Sequence, residues 1–280
     1  MLTISVDPIA FAIGDIEIRW YGIMVALACL AVMAVTAKEA KRLGITHDVS
    51  GLFLWCIIGG YVGGRLVHVI DYWEYYVAHP REIVGFAGLA VYGTILGVIL
   101  AAWIYVRVQR IAWSSMAGVG DAVAVATPLG LAIGRIGCVL NGCCFGKPSP
   151  FESFPGAVWY TPRDTIPPDY WLTALYPTQV YFVLWNLVVF ATMWLLRDRL
   201  KPQGTLFLLF LCLYAAGDFT LRFLRINDPF LLGLHQGQVI SLTILLVVTP
   251  LLVVRMLRYR RRPSAAAEVI EPDSPQNHES

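Results

Sequence analysis

Hydrophobic and polar positions run along this chain in long blocks and not in short periods. Seven apolar blocks fall at about 20–37, 51–70, 88–105, 116–134, 178–196, 204–221 and 238–254. Each approaches the roughly 20 residues an α-helix needs to cross a bilayer. The fourth block is the weakest, because Asp121 and Pro128 interrupt it. The pattern predicts an all-α, polytopic membrane helical bundle of about seven transmembrane helices.

The polar segments between the blocks are sorted by charge. One set of loops carries Lys38, Lys41, Arg42, Arg107, Arg110, Arg197, Arg199 and Lys201, and the C-terminal stretch adds Arg255, Arg258, Arg260, Arg261 and Arg262. The alternate set carries only Arg19, Arg81, Lys147, Arg163, Arg222 and Arg225, while Arg65 and Arg135 sit within or at the ends of blocks. Basic loops stay in the cytoplasm, so the C-terminus is expected inside and, with seven spans, the N-terminus outside. Asp7, Asp15 and Glu17 precede the first block and no basic run does, so no cleavable signal peptide is expected. The longest connection, about 136–177, holds seven prolines among Trp, Tyr and Phe, which predicts a folded external cap. Residues 1–262 are expected to form the membrane domain and 263–280, rich in Pro, Ser and Glu, a disordered cytoplasmic tail.

Composition fits a membrane protein. Of 280 residues 58% are hydrophobic and 14% charged, against about 25% charged in soluble domains. A net charge of +2 gives no general affinity for nucleic acid. No GxSxG, HExxH or Walker segment occurs, so a hydrolase with its own serine nucleophile is unsupported. Six cysteines are present without a CxxC pair, and neither metal nor cofactor is expected from spacing. Cys138, Cys143 and Cys144 remain open between small packing residues, a disulfide, and metal ligands or a nucleophile.

Candidate chemistry lies in the arginines that do not belong to the basic loops. Arg135 stands in GRIGCVLNGCCFGKPS at the external end of the fourth block. An arginine at such depth is costly and tends to be functional, and its planar fork matches phosphate oxygens. The alternative is a snorkelling or carboxylate-paired arginine. Arg65 follows GGYVGG, whose small residues suit close helix packing; it is either a second cation of the same cavity or is tied to Asp71 or a backbone carbonyl. Arg222 stands four residues after Asp218, the spacing of a helical ion pair, and Arg225 has no such upstream partner. Tyr21, Tyr92, Tyr176 and Tyr214 lie near external block ends, where an aromatic belt is the simpler reading. His68 and His235 read as structural or solvated.

These segments together resemble the prolipoprotein diacylglyceryl transferases, bacterial inner-membrane enzymes, from about Ile9 to Arg258. GRIGCVLNGCCFG is similar to the family's G-R-x-G-N-x-x-N-G-E-x-x-G, matching at Gly134, Arg135, Gly137, Asn141, Gly142 and Gly146. RWYG keeps Tyr21 and Gly22, GGRLVHV carries Arg65, YPTQVY keeps Pro177, Gln179 and Tyr181, and GQVIS matches GQxxS. Tyr214 and Arg225 fall where the family has a tyrosine and an arginine. The chain departs from the pattern elsewhere. Tyr92 replaces a histidine often proposed as a base, Cys138 and Cys143 replace an asparagine and a glutamate, and Tyr176 and Phe182 replace the His and Glu around PxQ. Asp218 and Arg222 reverse the signs of the family's Arg–Glu pair.

The resemblance implies transfer of the diacylglyceryl group of phosphatidylglycerol to the lipobox cysteine of preprolipoproteins, with glycerol-1-phosphate leaving. It implies Arg135, Tyr92 and Tyr21 as catalytic residues. Arg135, Arg225, Arg65, Asn141, Gly146 and Tyr214 would hold the phospholipid. Phosphatidylglycerol, the lipobox segment and membrane lipid are the implied partners. The lost histidine and glutamates leave an alternative, an inactive relative that binds or moves anionic lipid. A small-solute transporter would show internal repeats and broken spans, which the sequence lacks.

Overall fold

The structure is a computed structural model that describes residues 2–14, 16–85, 88–162, 165–226 and 229–261. Arg163, Asp228, Arg262 and the tail expected beyond it lie outside the described residues. Eight α-helices are described: α1 (Trp20–Arg42), α2 (Val49–Asp71), the short α3 (Trp73–Ala78), α4 (Val91–Val108), α5 (Met116–Asn141), α6 (Thr178–Leu196), α7 (Thr205–Leu221) and α8 (Gln236–Arg260). Six are long and apolar enough to cross a membrane, and α4 adds a slightly shorter apolar helix. The fold is an all-α polytopic membrane bundle. All seven predicted blocks are helices, and most extend a few residues past their apolar cores into polar ends.

The fifth helix corrects the weakest expectation. It runs without a break from Met116 to Asn141, through Pro128, and is the most enclosed of the spanning helices. Asp121 does not weaken it. Its carboxylate accepts hydrogen bonds from the backbone N–H groups of Gly204 at 2.6 Å and Phe207 at 2.9 Å. These are donors that the start of α7 leaves without intrahelical partners, so one buried acid caps a neighbouring helix.

Packing pairs α2 with α4, α1 with α5, α5 with α6 and α7, and α7 with α8. Glycine sets the first pair: a Cβ on Gly97 would stand 2.0 Å from the Gly59 carbonyl oxygen, and one on Gly63 would stand 2.4 Å from that of Gly93. The two backbones therefore touch, as GGYVGG predicts. A core of Ala124, Val125, Val189, Met193, Leu206 and Phe210 joins α5, α6 and α7.

The helices alternate in direction, and the bundle has two chemically distinct ends. At one, the C-termini of α1 and α6 meet through buried Glu39. It accepts from Arg42 at 2.6 Å and Arg197 at 2.9 Å, while Arg42 also pairs with Asp198. This end holds the basic loops. At the other end, α5 stops on Gly142, whose φ of +71° suits glycine.

Segment 142–177 then folds over a core of its own, with Val158, Tyr160, Ile166 and Leu175 all at most 1% exposed. Strand β1 (Thr3–Ile4) pairs in parallel with β4 (Trp159–Tyr160), tying the N-terminus into that segment. Two further ribbons, β2 (Ile9–Ile13) with β3 (Ile16–Arg19) and β5 (Pro229–Leu231) with β6 (Leu234–His235), flank α1 and α8. These short ribbons are invisible to a search for apolar blocks.

Candidate functional site

The non-basic end gathers several of the sequence motifs named above through backbone contacts. Gly146 donates its N–H to the Tyr176 carbonyl at 2.9 Å and forms an antiparallel bridge with Arg225. A Cβ there would stand 2.6 Å from the Tyr176 Cβ and 2.7 Å from the Leu224 carbonyl oxygen. The YPTQVY segment holds the turn after α5: the Thr178 hydroxyl donates to the Cys144 carbonyl at 2.9 Å, and Gln179 Nε2 to that of Cys143 at 2.8 Å. The Asn141 carbonyl accepts from the Thr165 hydroxyl at 2.7 Å. Gly146 and Asn141 thus shape the site through the backbone.

Arg135 lies half-buried on α5 with its guanidinium carbon 4.4 Å from the centre of the Phe182 ring. Among the described residues it makes no hydrogen bond or ion pair. Its electrostatic neighbours are Cys138, Cys144, Tyr214 and Asp218. The ring gives the arginine a cation–π contact in place of a charged partner. Arg225 sits beside the same cluster with a buried Nε lacking a partner among the described residues. Burial lowers its pKa, and the Cys144 sulfur opposes that shift.

Arg222 and Arg65 have other work. Arg222 Nε donates to Asp218 at 2.6 Å, and Ser241 Oγ donates to the same carboxylate at 2.9 Å. The GQVIS motif is built around this pair. A Cβ on Gly237 would lie 2.2 Å from the Arg222 guanidinium carbon; Gln238 caps α8 at the His235 backbone and donates to the Phe219 carbonyl at 3.2 Å. The sign-reversed pair is therefore a packed ion pair. Arg65 is 7% exposed and donates to the backbone carbonyls of Ile83 at 2.9 Å, Gly88 at 3.0 Å and Glu82, with the Tyr76 ring 5.1 Å away. The sequence groups Arg65 with the lipid-binding arginines; the structure instead engages it with the α3–α4 connection, the backbone-carbonyl alternative.

A cavity of about 650 Å³ opens among α4, α7 and α8. Tyr92, Asp218, Arg222 and His235 line its polar part, and Ile95, Ile240 and Ile244 continue it one to two turns deeper into the bundle. Tyr214 lines the same cavity and lies within electrostatic range of Arg135, linking the two. Tyr21 heads α1, with its ring against Gly137 and within electrostatic range of Arg135 and the three cysteines. Tyr21 and Tyr92 are 43% and 46% exposed. The apolar continuation of the cavity and the Phe182 ring escaped sequence reasoning. Of the two, only the exchanged position in the PxQ segment carried a signal.

Cys138, Cys143 and Cys144 converge beside the arginines. Their sulfurs lie within 4.8 Å of one another, and all three are free. Hydrogen bonds from the Cys138 and Cys143 thiols, with Arg225 and Arg135 behind them, hold the Cys144 thiol well below the ordinary thiol range. Its thiol contacts and burial push Cys143 up. This is a soft donor set able to hold a metal, which the irregular spacing alone does not reveal.

A family model described as prolipoprotein diacylglyceryl transferase matches residues 8–254. Three bacterial relatives carry the name phosphatidylglycerol–prolipoprotein diacylglyceryl transferase. The protein of Dehalococcoides mccartyi is 38% identical over 266 residues, covering 93% of this chain and 98% of its own. That of Trichormus variabilis is 35% identical over 250 residues, 85% and 86% of the two chains. That of Cupriavidus necator is 32% identical over 275 residues, 93% and 96%.

Proposed function

The chain belongs to the prolipoprotein diacylglyceryl transferase family, and from that premise we propose how its own residues carry the reaction. It is a transferase that moves the diacylglyceryl group of phosphatidylglycerol to prolipoprotein. An inactive lipid-binding relative is not favoured. The acceptor in this proposal is the cysteine thiol of a lipobox, and the reaction takes place at the external face of a bacterial inner membrane.

One observation carries the assignment of roles: Arg135 is half-buried, within electrostatic range of Tyr214 and Asp218 of the cavity wall, and makes no hydrogen bond or ion pair among the described residues. A guanidinium whose N–H groups have no hydrogen-bond acceptor among the described residues at that depth is open to an anion. The phosphodiester of phosphatidylglycerol supplies one charge and two free oxygens, which suit a guanidinium fork. The cavity has the polarity of a phospholipid, with tyrosine, histidine and ion-pair groups near its mouth and isoleucines below. In this arrangement the acyl chains follow Ile95, Ile240 and Ile244 and the phosphate lies toward Tyr214 and Arg135.

The thiolate attacks the glyceryl carbon bonded to the phosphate ester oxygen. A C–S bond forms as the C–O bond breaks, and glycerol-1-phosphate departs with the electron pair. The phosphate gains charge in that step, so Arg135, assisted by Arg225, stabilises the transition state more than the bound lipid. Tyr92 at the cavity mouth and Tyr21 near Arg135 serve as hydrogen-bond donors to the ester or to the arriving peptide. Arg222 and Arg65 are positioning residues, the first through Asp218 and the second through the α3–α4 connection.

Purified protein mixed with phosphatidylglycerol vesicles and a lipobox peptide tests this reading. Mass spectrometry is expected to find the diacylglyceryl thioether and an equal amount of glycerol-1-phosphate. Lipid binding without thioether would overturn it in favour of the inactive relative.

A further inference from the structure

The three cysteines at the C-terminal end of α5 are not needed by the mechanism above, and their arrangement is chemically specific. A tetrahedral Zn²⁺ with Zn–S bonds near 2.3 Å holds its sulfurs about 3.8 Å apart. The sulfurs of Cys138, Cys143 and Cys144 already lie within 4.8 Å of one another. Their backbone is fixed from outside. The Cys143 N–H donates to the Cys138 carbonyl at 3.1 Å, Gln179 holds the Cys143 carbonyl and Thr178 the Cys144 carbonyl. Gly142 and Cys144 both adopt left-handed backbone, with φ of +71° and +62°, which folds the turn back on the helix end. Such outer contacts orient ligands before a metal arrives.

The number of ligands matters as much as their spacing. Among the described residues no histidine or carboxylate joins the trio. Closed structural zinc sites use four protein ligands, and three is the count of sites that keep a position open. Three thiolates around a divalent cation carry one net negative charge. Arg135 and Arg225 both lie within electrostatic range of Cys144 and offset it.

The reaction proposed above alkylates a thiol whose proton must leave. A tyrosine is a poor base at neutral pH, and Tyr92 holds the place of the family's histidine. A thiol bound to a metal ion is deprotonated outright. We propose that Cys138, Cys143 and Cys144 bind one Zn²⁺ as thiolates and leave its fourth position to the incoming cysteine of the protein substrate. The second half of this proposal rests on the transfer reading. The substrate S–H gives its proton to water as the S–Zn bond forms. The bound thiolate then attacks the glyceryl carbon, the ester C–O bond breaks toward the phosphate beside Arg135, and the thioether, a poorer ligand, dissociates.

The test uses reduced, metal-stripped full-length protein in lipid nanodiscs, titrated with Zn²⁺ and with Co²⁺ as a spectroscopic probe. One equivalent of Co²⁺ is expected to bind with sulfur-to-cobalt charge-transfer bands. Cys143→Ala and Cys144→Ala are expected to abolish those bands and weaken Zn²⁺ binding by at least about a hundredfold, with melting of the metal-free variants showing that they fold. A lipobox peptide is expected to shift the cobalt d–d bands, and the same peptide with serine for its cysteine to leave them unchanged. Absence of stoichiometric metal, bands that persist in both variants, a native disulfide among the three, or a spectrum blind to the peptide thiol would overturn the proposal. Transfer at full rate in stripped protein would also overturn it while leaving the transfer reading intact. Metal and thiol binding without any alkylation would support the site and remove the transfer reading.

Discussion

Gly146 carries no reactive group, yet any side chain at that position would meet the Tyr176 Cβ at 2.6 Å and the Leu224 carbonyl oxygen at 2.7 Å. Neither neighbour is the free end of a flexible side chain, so Gly146→Ala must part the bridge to Arg225. We expect this variant to lose transfer by at least about tenfold and to melt earlier, since overpacking costs about 1–3 kcal/mol; transfer and melting assays in one detergent check both. The arginines teach the complementary lesson. Arg222 was legible as a pair with Asp218 from its spacing alone. Arg65 was not, because its partners are carbonyls of residues 82–88 that only folding brings near. Arg135 was legible as a costly cation, but its Phe182 platform lies 47 residues along the chain. The three cysteines sit at spacings of five and one, which reveal proximity only once the left-handed turn at Gly142 is known.

At the scale of elements, apolar block length fixed the helices well because bilayer thickness sets it. It found α5 but ranked it weakest, because a charge counted against the helix is satisfied across the bundle, by donors of α7. It also passed over the ribbons of two to five residues, which have too few positions for a pattern. The same logic of cross-helix acids governs the basic end. Glu39 is 1% exposed and takes hydrogen bonds from Arg42 and Arg197, linking α1 to α6. Removing one partner of a fully buried pair costs about 3–5 kcal/mol. Both arginines keep partial exposure, so Glu39→Gln is expected to cost about 2–3 kcal/mol. A lower melting temperature with an unchanged lipid preference would fit this account; an unchanged melting temperature would not.

At the scale of the whole molecule, charge asymmetry and site position agree. Basic loops and buried ion pairs occupy one end, and the cavity, the thiols and Arg135 lie at the other. From the positive-inside bias we propose that the basic end lies in the cytoplasm. In intact cells, a membrane-impermeant thiol reagent should therefore reach an engineered cysteine at Glu152→Cys, in a background lacking the native thiols, and miss one at Arg110→Cys. The reverse pattern would invert the topology and place the site on the wrong side for an exported substrate. This orientation is a proposal from the sequence, because it depends on loop composition and not on contacts.

The central claim is that Arg135 holds the phosphate as it becomes a leaving group. Single-turnover transfer from phosphatidylglycerol to a lipobox peptide, compared between the native protein and Arg135→Ala and Arg135→Lys, tests it most directly. Removing one such anion-stabilising donor costs about 10²–10³ in rate. Arg135→Ala is therefore expected to fall at least that far at saturating lipid. Arg135→Lys should recover part of the loss, because lysine keeps the charge without the planar fork. A rate near that of the native protein in Arg135→Ala would contradict the account.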